Sequence, residues 1–278
     1  MAGIKATIAV AQMDCAVGET EPNLNKIAHF AALARHLGAE LVIAPECAAT
    51  GYFVGDRIAE LADAPDGPVT RRLSAIARDN AITLICGLYT QENGIFRNSQ
   101  KVFAPDGSLL ATYHKAHLFA SERTQYTAGD APVVVDTPLG RLGLTICYDL
   151  IFPHYARKLV EMGAEIIVNS TNWINDPYQR DTWGWNPERV QGLASTRALE
   201  NVVPLAMACR TGHEQAAPGL AFDSVAASCV VSPSGKFIAR MDAGEGLAVG
   251  RIDIPAAEME RWTSVATYRI DRRPDLYR

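Results

Sequence analysis

Three polar side chains in this sequence stand at the ends of short apolar runs, and together they have the chemistry of a covalent hydrolase. Glu46 ends the segment IAPE, Lys115 ends TYHK, and Cys147 lies within LTICYD. A thiol needs a base to become a nucleophile, and a carboxylate with a raised pKa can accept that proton. The oxyanion that then forms needs positive charge or N–H donors, which Lys115 and the backbone N–H of Tyr148 can supply. This set needs no metal and no cofactor.

Taken singly, each of these residues also has an ordinary structural interpretation. A lone cysteine is most often a small buried apolar residue, Glu46 suits a helix cap, and Lys115 suits a surface charge. Other chemistries lack their motifs, because the sequence has no GxxxxGK[ST] phosphate loop, no GxSxG elbow and no HExxH metal helix. His114 and His117 have no further ligands at the spacing that a zinc site needs. We therefore predict no metal site.

Strands and helices alternate along the chain, as an α/β protein requires. Apolar periodicity and turn residues predict strands at 7–12, 40–45, 82–89, 100–103, 109–113, 133–136, 142–147, 165–169, 203–208, 220–231, 237–240 and 247–254. Helices are predicted at 23–37, 69–80, 153–162 and 187–200. No linker divides the chain, so we expect a single α/β domain over residues 1–278, with mixed sheets and helices outside. Because ligands gather where strands end, this fold can bring the three polar residues together.

The composition is that of an ordinary globular protein and excludes several functional classes. The chain has 278 residues, of which 48% are hydrophobic and 21% charged, and its net charge is −5. These values exclude wholesale disorder, no apolar run approaches the roughly 20 residues of a membrane-spanning helix, and no basic cluster indicates a nucleic-acid partner. The six cysteines form no Cys-x-x-Cys pair, and the N-terminal apolar run lacks a cleavage site. We therefore expect reduced thiols and a cytoplasmic location.

Four segments resemble the nitrilase superfamily of carbon–nitrogen hydrolases. They are APECAATGY, YHKAHLF, GLTICYDLIFP and the closing RRPDLY, and the resemblance runs over nearly the whole chain. It implies an α/β fold, a four-layer αββα sandwich of two mixed β-sheets with outer helices. It also implies that Glu46 is the general base, Lys115 stabilises the oxyanion, and Cys147 is the nucleophile that forms a thioester. Glu122, in LFASERTQYTAGD, matches a second family glutamate that positions Lys115 or the substrate.

The three residues Cys147, Tyr148 and Asp149 indicate a branch of this family. Nitrilases usually carry Cys-Trp-Glu here, so the resemblance favours an amidase that cleaves a small carboxamide to carboxylate and ammonia. An N-carbamoyl amine or amino acid hydrolase is the alternative, followed by a nitrilase. Tyr52 and Trp173 are expected to contact the substrate, although packing explains the tryptophan-rich stretch around Trp173 equally well. No arginine pair marks an acidic substrate, so we expect a neutral, partly apolar amide.

The family resemblance also implies a homo-oligomer with a dimer as its smallest unit. The helix predicted at 153–162 carries Tyr155 and Leu159 beside charged residues, and we expect both to be exposed as a subunit contact. The closing segment 268–278 is rich in arginine and aromatic residues, and we expect it to lie across the partner subunit. The alternative is that it folds back on its own domain, because chain ends are often tied down locally. We expect no nucleic-acid or membrane partner.

Two interpretations lie outside hydrolysis. A thiol redox enzyme would need a second cysteine to resolve the oxidised Cys147, and no spacing in the sequence supplies one. A binding protein without catalysis would not need Glu46, Lys115 and Cys147 together. Ammonia release from amides, nitriles and carbamoyl compounds separates these interpretations.

Overall fold

Strands and helices make up most of the computed structural model, which describes residues 3–265 and 267–276, with the backbone alone at 177 and 183. The strands are β1 (Ile4–Gln12), β2 (Leu41–Ile43), β3 (Thr83–Glu92), β4 (Ile95–Phe103), β5 (Leu109–His114), β6 (Val134–Thr137), β7 (Gly140–Ile146), β8 (Ile166–Thr171), β9 (Ile174–Asn175), β10 (Leu205–Cys209), β11 (His213–Ala217), β12 (Leu220–Ser224), β13 (Cys229–Val231), β14 (Phe237–Arg240) and β15 (Gly246–Ile254). The helices are α1 (Thr20–His36), α2 (Ile58–Leu61), α3 (Pro68–Asp79), α4 (Glu122–Gln125), α5 (Pro153–Glu161), α6 (Pro177–Trp183), α7 (Pro187–Asn201) and α8 (Ala256–Val265). Within the described ranges, no helix has the length and apolar character that crossing a membrane requires.

Two six-stranded mixed sheets form the centre of the molecule. The first has the order β15-β1-β2-β3-β4-β5 and the second the order β14-β13-β10-β8-β7-β6. The inner strands β1, β2 and β3 are parallel, as are β7, β8 and β10, and the flanking strands pair antiparallel. The strands β2 (LVI) and β10 (LAMAC) are wholly apolar, as expected for parallel strands that are covered on both faces.

The two sheets face each other, and helices cover their outer faces. Ile8 and Ile43 of the first sheet belong to the same buried cluster as Ile146 and Val168 of the second. A second cluster joins α1 and α3 to the first sheet, and a third joins α5 and α7 to the second sheet. Burial of these apolar faces accounts for the layering, since each amphipathic element must cover its apolar side. The αββα fold class expected from the sequence is confirmed.

The predicted elements are largely present, with one strand divided in two. The Asp-Gly pair at 106–107 joins β4 and β5 in the predicted hairpin, and Gly107 has a φ of +87°. The stretch 220–231 bends at Ala226, whose φ is +58°. Therefore β12 pairs with β9 and β11 in a small third sheet, whereas β13 pairs in the second main sheet. Strand β11 (HEQAA) has too little apolar alternation to be predicted from the sequence. Its conformation depends on its pairing with β12.

Helix α5 does not present the surface that we expect from its sequence. Leu159 is fully buried, and Tyr155 is half-buried with its hydroxyl donating to the hydroxyl of Tyr113 at 2.8 Å. The expectation that both are exposed is therefore wrong. The helical period places them on the face that packs towards the second sheet. The exposed side chains of α5 include His154 and Lys158.

Candidate active site

Four chain segments meet at one end of the sandwich, where strands of both sheets end. Glu46 follows β2, Lys115 follows β5, and Cys147 follows β7. Asn172 is the first residue after β8 and joins them. The carboxyl ends of parallel strands are the usual location of ligand sites in α/β folds. The structure thus brings together the three residues that the sequence singles out.

Four buried polar side chains form a closed ring of hydrogen bonds in this cluster. Lys115 Nζ lies 2.7 Å from Glu46 Oε1 and 2.8 Å from Glu122 Oε2. Asn98 Nδ2 donates to Glu46 Oε1 and to Glu122 Oε1, both at 2.8 Å. All four side chains are essentially inaccessible to solvent. Complete hydrogen bonding of this kind offsets the desolvation cost of burying one ammonium with two carboxylates.

The backbone holds Cys147 in a strained conformation at the end of β7. Its φ is +44°, in the left-handed region that residues other than glycine rarely adopt. The thiol lies 3.8 Å from the carbonyl oxygen of Asn172, and the N–H of Asn172 donates to Glu46 Oε2 at 2.9 Å. One residue therefore links the thiol to the carboxylate. Backbone strain of this kind clusters at functional sites.

Burial governs the ionisation of the thiol and of the neighbouring charges. Desolvation raises the pKa of Cys147 well above its usual range, and the charge of Glu46 adds to the effect, so the resting thiol is protonated and needs a base. Desolvation also raises the pKa of Glu46, although Lys115 opposes it, which suits a group that accepts and returns a proton. Burial lowers the pKa of Lys115, but the charges of Glu122 and Glu46 outweigh it and hold this pKa well above the usual range. Lys115 is therefore an ammonium.

Two kinds of donor are available to an oxyanion. Lys115 has three N–H bonds, and Glu46 and Glu122 accept two of them, which leaves one for a reacting oxygen. Tyr148 follows Cys147 in the first turn of the 3-10 helix Cys147–Ile151, where backbone N–H groups have no acceptor within the helix. The arrangement has the chemistry of an acyl-transfer site.

A cavity of about 250 Å³ opens at Cys147 and is largely apolar. Its wall includes Trp173, Trp185 and Phe119, and the two indole rings are 4.7 Å apart. Trp173 thus lines the cavity at the thiol and also packs against a neighbour, so both roles considered for it are compatible with its position. Arg123 also lines this cavity. In the described part of the chain it is the only charged lining residue.

Tyr52 borders the charged cluster from a neighbouring cavity of about 300 Å³. It lines that cavity together with Glu122, and the centre of its ring is 6.0 Å from Lys115 Nζ. The buried carboxylate of Glu214 accepts the backbone N–H of Tyr52 at 3.3 Å and that of Phe53 at 3.2 Å. Tyr52 therefore lies beside the ammonium of Lys115 and is not one of the residues that line the cavity at Cys147.

Asp149 ties the turn that carries the thiol to the end of β5. Its Oδ2 accepts the backbone N–H of Ile146 at 2.9 Å and the hydroxyl of Tyr113 at 2.7 Å. Its Oδ1 accepts the backbone N–H of His117 at 3.0 Å and lies 2.7 Å from His117 Nδ1. This buried carboxylate therefore holds the segments that carry Lys115 and Cys147 at a fixed separation. In the sequence, Asp149 indicates only the branch of the family.

Sequence reasoning missed two residues of the cluster, Asn98 and Asn172. Asn172 acts through its backbone, which no residue type signals. Asn98 lies in β4, in the segment RNSQKVF, and the only available signal was a run of polar residues inside a buried strand. Buried polar groups need partners, but the identity of those partners appears only when the strands are assembled.

The fold and this cluster define the class of protein, and comparison with known families agrees. Residues 7–262 match the family model described as carbon-nitrogen hydrolase. The chain belongs to the carbon–nitrogen hydrolase family, within the nitrilase superfamily, and is an enzyme of that class. The resemblance noted from its sequence segments is confirmed.

Relatives and solved structures of similar length cover nearly the whole chain. A probable nitrilase of Schizosaccharomyces pombe is 32% identical over 99% of this chain and 98% of its own. The human omega-amidase is 30% identical over 92% and 91% of the two chains. The NitN amidase from Nesterenkonia sp. AN1 has a TM-score of 0.80 at 27% identity and covers 98% of both chains. A mutant of the Nesterenkonia amidase shows covalent addition of the acetamide moiety of fluoroacetamide at the active-site cysteine.

Proposed function

We propose that this protein is an amidase that hydrolyses a small carboxamide to a carboxylate and ammonia through a thioester on Cys147. The observation that carries the proposal is the buried cluster in which Asn172 joins the thiol to Glu46, and Glu46 contacts Lys115. Covalent chemistry at the cysteine of the Nesterenkonia amidase supports the same use of the thiol here. The names of the amidase relatives support an amide substrate.

Acylation uses Cys147, Glu46, Lys115 and the backbone N–H of Tyr148. The sulfur of Cys147 attacks the amide carbon while its proton passes to Glu46. The carbonyl oxygen becomes an oxyanion that accepts hydrogen bonds from Lys115 and from the N–H of Tyr148. Glu46 then returns the proton to the nitrogen, the C–N bond breaks, and ammonia leaves with the acyl group bound to sulfur.

Deacylation repeats these roles with water as the nucleophile. Glu46 takes a proton from the water as its oxygen adds to the thioester carbon. Lys115 and the N–H of Tyr148 hold the second oxyanion. The C–S bond then breaks and the proton returns to the sulfur of Cys147. Glu122 positions the ammonium throughout, because it accepts from Lys115 at 2.8 Å and from the N–H of Phe119 at 2.7 Å.

The cavity favours a small acyl group. Its volume of about 250 Å³ lies below the range of about 300–1,000 Å³ that is typical of sites for drug-sized ligands. Trp173, Trp185 and Phe119 give it an apolar wall that suits an uncharged acyl chain. In this proposal Trp173 contacts the acyl chain, and Tyr52 borders the amide end of the substrate beside Lys115.

One observation favours the alternative substrate class, N-carbamoyl amino acids. Arg123 lines the cavity at Cys147, and a guanidinium group binds a carboxylate through paired hydrogen bonds. The same attack at a carbamoyl carbon would break a C–N bond and release an amine. A carboxylate on the amino acid would then have a partner in Arg123.

Small carboxamides are expected to release ammonia faster than nitriles of the same carbon skeleton and faster than N-carbamoyl compounds. A panel of matched amides, nitriles and carbamoyl compounds, with and without a carboxylate, measures this directly. A nitrile that is hydrolysed faster than its amide contradicts the proposal. Arg123→Gln separates the substrate classes, since it should raise KM only for substrates that carry a carboxylate.

We also propose that the protein is a homo-oligomer built from dimers, with each chain acting as one catalytic domain and the tail 268–278 at the interface. Arg272 of the tail pairs with Glu161 of α5 in the same chain at 2.8 Å, so the tail runs beside this helix. Ile270 and Leu276 are 80% and 67% exposed, and a partner subunit would cover them. Residues 277 and 278 of this proposed contact lie outside the described residues.

Truncation after Thr267 is expected to weaken the dimer, because it removes the exposed apolar side chains of the tail. Light scattering on the full chain and on the truncated chain, over a range of concentrations, measures this. Ile270→Ser in the full chain tests the apolar contact without removing Arg272. A monomeric full chain contradicts the assembly, and an unchanged oligomer after truncation contradicts the role of the tail.

A further inference from the structure

We propose that Asn98 is a positioning residue that holds Glu46 and Glu122 in fixed places around Lys115 and keeps Glu46 ready to accept the thiol proton. This inference rests on the proposed function and adds Asn98 to Cys147, Glu46, Lys115 and Glu122. Within the described residues, the side chain of Asn98 has hydrogen bonds to Glu46, Glu122 and Cys47 but none to Cys147, and it does not line the cavity at Cys147. It acts through the two carboxylates.

The amide of Asn98 is shared between the two glutamates. Each N–H bond of Nδ2 points to a different carboxylate, with both donor–acceptor distances at 2.8 Å. Because the two N–H bonds of a planar amide diverge in fixed directions, the positions of Glu46 and Glu122 depend on each other. A residue with one donor cannot hold both.

One further contact fixes the orientation of this amide, and a second joins the backbone of Asn98 to Lys115. The thiol of Cys47 lies 3.7 Å from Asn98 Oδ1, which assigns the oxygen to the side away from the carboxylates. The backbone carbonyl of Asn98 accepts the N–H of Lys115 at 2.9 Å. A flipped amide would direct its oxygen at Glu46 and Glu122, which are acceptors when ionised. The register of β4 with β5 thus places Lys115 next to Asn98.

Charge explains why the cluster needs this donor. Two carboxylates share one ammonium, and the charge of Glu122 raises the pKa of Glu46. The hydrogen bond from Asn98 lowers the pKa of Glu46 and so opposes the larger effect of burial. The titratable groups that act on Glu46, or on which Glu46 acts, are Lys115, Glu122, Cys147, Tyr52, Cys47 and Cys209. Asn98 is an uncharged donor among them.

Asn98→Leu tests the proposal, because it removes both donors and keeps a side chain of similar size. We expect kcat/KM to fall at least tenfold at low pH. The acidic limb of the pH profile should move up by about one pH unit, since loss of a hydrogen bond to the charged form raises the pKa of Glu46. Raising the pH should restore part of the activity. Asn98→Ser retains one donor, so it should shift the limb in the same direction by less.

Asn23→Leu is the matched control, because Asn23 is a buried asparagine with the same number of hydrogen bonds. Its Nδ2 donates to the carbonyls of Ala16 at 2.8 Å and Ala49 at 3.3 Å, and its Oδ1 accepts the N–H of Ala16 at 3.0 Å. These partners are uncharged. Asn23→Leu should therefore lower the melting temperature without moving the acidic limb. If the acidic limb of the pH profile stays at its wild-type position in both Asn98 variants, the proposal is overturned.

A second measurement does not depend on amide turnover. Iodoacetamide alkylates Cys147, and peptide mass spectrometry measures the rate at each pH. The pH dependence of this rate also reports the pKa of the base that takes the thiol proton. A shift of this profile to higher pH in Asn98→Ser supports the positioning role, and an unshifted profile overturns it. If the wild-type protein hydrolyses no amide in the panel, the proposed function fails, and the alkylation profile still decides the role of Asn98.

Discussion

Cys147→Ala is expected to abolish ammonia release while the protein remains folded. In the proposed mechanism the sulfur of Cys147 forms the covalent bond to the acyl carbon, and loss of a nucleophile from such a catalytic set costs about 10⁴-fold or more in kcat. Alanine lacks only the sulfur atom of cysteine, and this atom lies in the wall of a cavity. We therefore expect circular dichroism and the melting temperature to change little. Turnover by the alanine variant above a trace level contradicts the thioester mechanism.

Mass spectrometry of the intact protein gives the positive counterpart of this result. With a slowly hydrolysed amide, the wild-type chain should gain the mass of one acyl group, and peptide mapping should place it on Cys147. Cys229→Ala is the matched control, because Cys229 is fully buried in β13. It should keep both turnover and the adduct. An adduct on another cysteine would assign the nucleophile elsewhere.

Glu46→Gln and Lys115→Ala are each expected to remove turnover, for different physical reasons. Glutamine can accept a hydrogen bond from Lys115 but cannot take the thiol proton, and general acid–base catalysis contributes about 10²–10⁴-fold. Loss of the ammonium removes an oxyanion donor, which costs about 10²–10³-fold. Single-turnover kinetics with a good amide substrate measures both losses.

The two variants should differ in stability. Lys115→Ala leaves Glu46 and Glu122 buried without a cation, and breaking a buried ion pair costs about 3–5 kcal/mol. Glu46→Gln leaves one carboxylate paired with the ammonium, so its free energy of unfolding should change less. Urea unfolding measures both values. Near wild-type stability in Lys115→Ala contradicts the description of this cluster as an ion-paired network.

Lys101→Met provides the control for a buried lysine. Lys101 is 1% exposed and its Nζ donates to the carbonyl of Pro65 at 2.9 Å. This contact lies outside the cluster of Glu46, Lys115 and Cys147. Its replacement should affect stability but leave the single-turnover rate of the folded protein unchanged. If Lys101→Met lowers the rate as much as Lys115→Ala does, loss of any buried lysine impairs catalysis. The result would then contradict the oxyanion role of Lys115.

The candidate active site shows how much could be predicted from the sequence. Glu46, Lys115 and Cys147 could be selected because a carboxylate, an amine and a thiol are reactive types, and each follows a recognisable apolar strand. Their contacts could not be predicted, since the distance between strand ends depends on how the two sheets pack. Glu122 was selected through its family motif, because a glutamate in a polar loop has no pattern of its own.

The sequence by itself determined most of the order of strands and helices, the α/β class and the candidate reactive side chains, because apolar periodicity and residue type are local properties. The αββα sandwich was implied by the family resemblance. Only the tertiary structure decided that Asn98 joins two glutamates and that the backbone of Asn172 links the thiol of Cys147 to Glu46. It also decided that Leu159 faces inward and that the strand predicted at 220–231 divides between two sheets. These features arise from pairing between distant segments, and a neutral amide or a backbone carbonyl acquires its role only from the groups that the fold places beside it.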